Sequence, residues 1–166
     1  MTEWTRREIV SWRGLSFLLI ALGFWFWFAP RIGQAIIPPE WWLDVRTIIV
    51  ADTVVGVSPA VVIDRDINRN FVGSYEATIR KVDASDGTIW TYCQPRIRPE
   101  ITYRAGSPYP GRDLNWWLGS PPEDVCVMEP GKYLLRLDWT INALNGWLPL
   151  HVRRESAPFT VSEARQ

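Results

Sequence analysis

Glu129–Trp139 reads EPGKYLLRLDW, and its pattern decides the fold class. A Pro-Gly turn opens it, after which Tyr133, Leu135, Leu137 and Trp139 alternate with Leu134, Arg136 and Asp138. A period of two places the first set on one face of a strand and the second on the other. A helix would scatter both sets around its circumference, since its faces repeat every three or four residues.

Outward from this strand the same texture recurs. Short β-branched runs separated by turn residues predict strands at 45–52, 60–68, 74–82, 88–93, 131–141 and 150–161, the last broken near Pro158. Val61, Ile63 and Ile67 share one face of the second strand, and Tyr75, Ala77 and Ile79 one face of the third, leaving Glu76, Thr78 and Arg80 towards water. Asp83–Gly87 (DASDG) joins the third and fourth as a hairpin. No amphipathic helix is evident beyond residue 44. The expected fold is mainly β, an antiparallel sandwich over 45–166, preceded by one N-terminal transmembrane helix.

The helix rests on Leu15–Phe28 (LSFLLIALGFWFWF), fourteen residues without a charge. Up to Ala29 that run spans only ~22 Å, short of the ~30 Å hydrocarbon core, so the flanks must join it. We place a cytoplasmic tail at 1–12, the anchor at 13–37 and a Trp-rich juxtamembrane linker at 38–44. Trp12 on one side, and Trp25 and Trp27 or Trp41 and Trp42 on the other, form the expected interfacial belts. A cleaved signal peptide is the competing reading, opposed by the absence of a small-residue cleavage site among these aromatic residues. Arg6, Arg7 and Arg13 before the span favour a cytoplasmic N-terminus, with the distal domain periplasmic or extracellular. Cys93 and Cys126, the two cysteines of the chain, agree as one disulfide in an oxidising compartment.

Eighteen basic residues balance eighteen acidic ones, which leaves no electrostatic footprint for nucleic acid. Between the cysteines, Gln94–Val125 holds six of the thirteen prolines and forms a Pro/Trp-rich insertion at 94–125. Tyr109, Trp116 and Trp117 make it the candidate binding surface, unless the two Trp simply plug the open edge of the sandwich. A bridge closing this loop stabilises by ~3–4 kcal/mol.

Motifs for chemistry are few. Asp64, Asp66, Asn68 and Asn70 begin like a calcium loop, but Arg69 stands where the turn needs Gly and Tyr75 where a bidentate Glu belongs. That segment reads instead as a polar strand face, with Arg65 and Arg69 pairing nearby acids. His151, the single histidine, with two Met and a bridged Cys pair, does not assemble a metal site. No nucleophile elbow, Walker loop or dinucleotide fingerprint occurs, so neither cofactor nor catalytic residues are expected. Glu123 and Asp124 near Trp116 and Trp117 keep an envelope-glycan hydrolase open as a minor alternative. Ahead of it, the first alternative is an accessory subunit of a larger membrane complex whose helix does the work, with Gly14 and Gly23 permitting close helix contact.

The alternation at Tyr133–Trp139 is similar to the penultimate strand of immunoglobulin-like and fibronectin type III-like domains, and Ser156–Val161 (SAPFTV) resembles their last strand. The whole arrangement resembles small single-pass inner-membrane proteins of bacterial and phage genomes that carry such a domain outside the membrane. That resemblance implies a non-catalytic binding module of the envelope, with the bilayer and a protein as partners. Envelope assembly, modification of an envelope complex and exclusion of competing phage are the tasks it suggests.

Overall fold

A computed structural model of the chain describes residues 3–109, 111–119, 126–143 and 148–164, the side chains of 3–13, 30, 34–35 and 94–97 excepted. Two units emerge, Met1–Pro38 and Pro39–Gln166.

The first unit is one helix, α1 (Glu3–Ile36, 34 residues). It extends past Leu15–Phe28 on both sides, as so short a run requires. Its apolar part, Gly14–Gly33, has 20 residues, about 30 Å of helix, which is long and apolar enough to span a membrane. None of that span is buried; Phe17 is 78% and Ile20 71% exposed. Along the helix Phe24 and Phe28 stack at 4.2 Å, and the Arg31 guanidinium lies 5.3 Å from the Trp27 ring. Both contacts have the i, i+4 spacing that puts side chains on one face. Trp25 and Trp27 are each 64% exposed, while the side chain of Trp12 lies outside the described residues. Ile37 N–H still donates to the Gly33 carbonyl, and Pro38 and Pro39, which lack an N–H, end the helix.

The second unit is mainly β. A 3-10 turn (Pro39–Trp41) leads into β1 (Leu43–Val50), β2 (Thr53–Val54), β3 (Ala60–Ile67), β4 (Phe71–Val82), β5 (Ile89–Ile97), β6 (Ile101–Tyr103), β7 (Arg112–Asp113), the short helix α2 (Leu114–Leu118), β8 (Gly131–Ala143), β9 (Leu148–Glu155) and β10 (Phe159–Ser162). One sheet has the order β1-β3-β7 and the other β2-β10-β8-β4-β5, with β6 added to β4 and β9 to β8. Among the described residues only β2 and β10 pair in parallel. The sheets curl as a half-barrel.

β4 and β8 are the spine, in register from Val72 opposite Asn142 to Val82 opposite Lys132. The far edge of each is shared by two shorter strands: β6 and β5 beside β4, and β10 and β9 beside β8. The DASDG hairpin forms as expected, with Asp83 N–H donating to the Thr88 carbonyl and Gly87 at φ 72°. Residues alternate inward as the sequence predicts: Val61, Ile63, Ile67, Tyr75, Ala77, Ile79, Leu135, Leu137 and Trp139 are all buried.

Three expectations need correction. Thr78, assigned to the water side, and Leu134, placed on the face opposite Tyr133, are 8% and 7% exposed: across the β4–β8 pair they stand opposite the long side chains of Arg136 and Arg80. Trp42, assigned to the membrane interface, is 8% exposed and belongs to the core of the β unit, whereas Trp41 is 52% exposed. The stretch expected to be a linker is folded, since Trp42 N–H donates to the Pro39 carbonyl, Asn68 N–H to the Trp42 carbonyl and Asn68 Nδ2 to the Glu40 carbonyl.

Candidate functional site

The insertion is less irregular than its composition suggests. Asp113 caps α2, its carboxylate accepting from Trp116 N–H at 3.2 Å, and Gly119 closes the helix at φ 68°. Leu114 N–H donates to the Pro59 carbonyl and Asn115 N–H to Ser58 Oγ, which tie α2 to the start of β3. The Cys93–Cys126 disulfide, with Cα atoms 6.1 Å apart, joins β5 to the approach to β8. Tyr92 OH donating to the Val127 carbonyl adds to that junction.

The three sequence candidates come together, but with different roles. Trp117 is 1% exposed: its Nε1 donates to Tyr109 OH at 3.0 Å, and Tyr109 OH donates to the Val61 carbonyl at 2.6 Å. Its ring lies 4.9 Å from Tyr75 and stacks on Tyr109 at 5.9 Å. Trp117 is therefore the plug, a correction to its assignment as binding surface, and Tyr109 is the half-buried bracket that holds it. Trp116 is 37% exposed, edge-on to Trp117 at 5.1 Å, with the guanidinium groups of Arg98 and Arg112 at 5.4 and 5.6 Å from its ring. Arg98 also donates to the Trp116 carbonyl.

Beside this cluster is a cavity of ≈ 210 Å³ whose wall includes Arg65, Tyr75, Tyr103, Arg104, Trp116 and Trp117. Arg65 is the residue whose role the sequence reading missed, having assigned it to the polar strand face. It occupies the inward phase of β3 between Ile63 and Ile67, so a cation stands where the pattern calls for an apolar side chain. Among the described residues it does not pair with an acid, contrary to expectation: its guanidinium lies 5.6 Å from the Tyr103 ring and 5.8 Å from the Tyr109 ring. Arg69 likewise lies over Trp41 and Trp42. The acids of that segment, Asp64 and Asp66, are both taken by Arg46 across the strand pair. These two carboxylates raise the Arg46 pKa, Asp64 the more.

The polar atoms around the cavity are short of partners. Arg65 Nε, Arg98 Nε, Tyr75 OH, Tyr103 OH and Trp139 Nε1 are buried without a hydrogen bond of good geometry among the described residues, although Arg98 faces the Tyr75 hydroxyl and Trp139 Nε1 the Tyr103 hydroxyl. Burial lowers the pKa of the Arg65 guanidinium, raises that of Tyr75, and pushes Tyr103 up to about 12, so both hydroxyls keep their protons at neutral pH. Each unpaired buried donor costs about 1–3 kcal/mol. A cation over a ring recovers about 0.5–1 kcal/mol at an exposed site and about 2 kcal/mol where the pair is desolvated. The rings thus offset the burial of Arg65 in part.

A second concavity, ≈ 480 Å³, lies on the outer face of the large sheet and includes Glu76, Arg136, Asp138, His151 and Arg153. In it Asp138 accepts from Arg136 Nε at 2.8 Å and from Arg153 Nε, and Arg80 donates to Glu155 at 2.6 Å just beyond. His151 Nδ1 lies 3.3 Å from Thr140 Oγ1. Among the described residues no group of three or more His, Cys, Asp or Glu is placed to hold a metal ion. Glu123 and Asp124, the acids of the hydrolase alternative, lie outside the described residues. Compared with protein-family models, curated proteins and solved structures, the chain matches none.

Proposed function

We propose that the chain is a membrane-anchored, non-catalytic binding module of the cell envelope, with α1 as its single span, the N-terminus cytoplasmic and the β unit periplasmic or extracellular. The observation that carries this reading is the exposure of the Gly14–Gly33 span, none of which is buried. An apolar rod exposed on every side needs a bilayer or another helix as its solvent. Support for orientation comes from Arg6, Arg7 and Arg13 before the span and from the Cys93–Cys126 disulfide after it.

Strand order supports an immunoglobulin-like sandwich for the β unit. The run β10-β8-β4-β5 corresponds to the G-F-C-C′ order of a variable-type domain, and β1-β3-β7 to part of its A-B-E-D sheet. The partner surface on this reading centres on exposed Trp116 beside Arg98 and Arg112, and the partner is a protein of the membrane or envelope. A bacterial or phage envelope protein of this architecture would act in assembly or exclusion.

A photo-crosslinking residue replacing Trp116 in intact cells should capture one discrete partner, from a chain that stays in the membrane pellet after alkaline extraction at its uncleaved size. Release by alkali would defeat the anchor, and absence of a discrete adduct would defeat the surface. One observation favours a second reading, an accessory subunit acting through α1: a Cβ at Gly14 or Gly23 meets nothing within 4 Å, so both faces are open to a neighbouring helix. Replacing α1 by an unrelated span separates the two, because full activity afterwards excludes the subunit.

A further inference from the structure

We infer that the cavity between β3, β4, β6 and α2 is a binding site for a small oxyanion, a carboxylate or phosphate group, held by the Arg65 guanidinium and the Tyr75 and Tyr103 hydroxyls. The inference deepens the binding-module reading and rests on it.

The first argument is charge. Arg65 and Arg104 are the charged residues of the cavity wall, with no carboxylate among its described lining. Arg65 makes no ion pair and no hydrogen bond among the described residues, whereas Asp138 in the outer concavity takes two guanidinium groups and Glu155 beside it takes one. A partly desolvated guanidinium with a free planar fork is suited to a bidentate oxyanion.

The second argument is the set of unused donors. Tyr75 is 3% and Tyr103 5% exposed and both line the cavity; Arg98 faces the Tyr75 hydroxyl and Trp139 Nε1 the Tyr103 hydroxyl, both as donors, and neither hydroxyl proton has an acceptor among the described residues. Both hydroxyls hold their protons at neutral pH, so each has one O–H to donate to an acceptor-only ligand. A core designed only to pack would place Phe at these positions. Two buried tyrosines and one half-buried arginine lining a single hole form an arrangement with a stability cost that a ligand would offset.

The third argument concerns size and the wall opposite. The ≈ 210 Å³ volume fits a small acid, and Ile67, Ile101 and Pro108 give the ligand's carbon body an apolar side. The edge of Trp116 connects the cavity to the exposed surface, so a ligand attached to something larger still reaches it.

The test uses the full chain in detergent micelles at constant ionic strength set with chloride. Acetate, glucuronate, inorganic phosphate and glycerol phosphate are titrated by calorimetry, with acetamide and glucose as neutral counterparts, against wild type, Arg65→Met and Arg65→Lys. The expected result is one oxyanion site per chain, at least tenfold weaker in Arg65→Met and intermediate in Arg65→Lys, with neutral counterparts silent. Arg65→Met should also unfold at the same or a higher temperature without ligand, since a purely structural cation would be missed there. Binding of only the carboxylates or only the phosphates assigns the group, and binding of both leaves the oxyanion site in place. The inference is overturned if no oxyanion binds wild type, if Arg65→Met binds equally well, or if Arg65→Met loses stability without ligand. Equal binding of glucose by wild type and Arg65→Met would overturn the oxyanion while leaving the binding module intact, and the Trp116 crosslink tests that module independently.

Discussion

The two faces of the β4–β8 spine use charge in opposite ways. On the outer face, Arg80, Arg136, Asp138, Arg153 and Glu155 form a cross-strand carpet in which the carboxylates accept from neighbouring guanidinium groups. Most of it is partly wet, so its net worth is small. On the inner face, Tyr75 packs against Trp117 and shares a cavity with Arg65 and Tyr103, and among the described residues Arg65 Nε and the two hydroxyl protons there have no acceptor. Paired charges at the surface follow from solubility alone. Unpaired donors in the interior require another explanation, and a ligand provides one.

The largest test of this contrast is Trp117→Ala. Removing a fully buried indole that also donates to Tyr109 should cost about 3–5 kcal/mol of unfolding free energy, whereas Trp116→Ala, on the exposed side of the same helix, should cost about 1 kcal/mol or less. Urea titration of the full chain in micelles, read by near-UV circular dichroism, measures both. Equal costs would remove the distinction between plug and surface. The disulfide comes next: reduction, or Cys93→Ser with Cys126→Ser, should lower stability by ~3–4 kcal/mol, because the bridge closes a loop of 33 residues. A loss under about 1 kcal/mol would mean that hydrogen bonds such as Tyr92 OH to the Val127 carbonyl hold the segment without it.

Alkaline pH probes the buried hydroxyls. The Tyr103 pKa is raised from 10.0 to about 12 in the folded chain, so its contribution is fully present below pH ~10. Above that the unfolded chain releases the proton first, and stability falls by up to about 2–3 kcal/mol as pH rises through 12. Tyr103→Phe should flatten this alkaline limb and be neutral or slightly stabilising at pH 7, because it removes a hydroxyl whose proton finds no acceptor among the described residues. An unchanged limb would shift the titration to another buried tyrosine, Tyr75, whose pKa is also raised by burial.

What the sequence made legible was whatever repeats. Alternation at Tyr133–Trp139 and Val61–Ile67 placed the long strands and their inward faces, and the DASDG turn set the hairpin. β2, β6 and β7 have two or three residues each, too few for a period to be visible. α2 has five, so its amphipathic stripe is never completed, although Asp113 and Gly119 flank it as cap signals. Arg65 was legible in phase, since Ile63 and Ile67 bracket it, but its surroundings were not. Tyr75, Tyr103 and Tyr109 reach it from other strands and loops, and only the folded chain brings them to one place. Trp42 misled for a related reason: a Trp pair just after a span reads as interfacial, and the hydrogen bonds that fold it into the β unit come from Asn68.

The smallest effect belongs to the outer face, where Arg153→Gln should cost about 0.5 kcal/mol or less and should fade as salt is added. Arg153 has 66% of its side-chain surface exposed, and Asp138 keeps Arg136 as donor when it is gone. Asp138→Asn should cost more, near 1 kcal/mol, because it leaves two guanidinium groups side by side with no counter-charge between them. The pair of values, measured in low and high salt, calibrates what a cation on this sheet is worth when it is paired and wet. Against that scale, Arg65→Met is informative in sign alone: a cation whose removal leaves stability unchanged or improved, on a sheet where removing a paired one lowers it, is retained for something the folded chain does not itself supply.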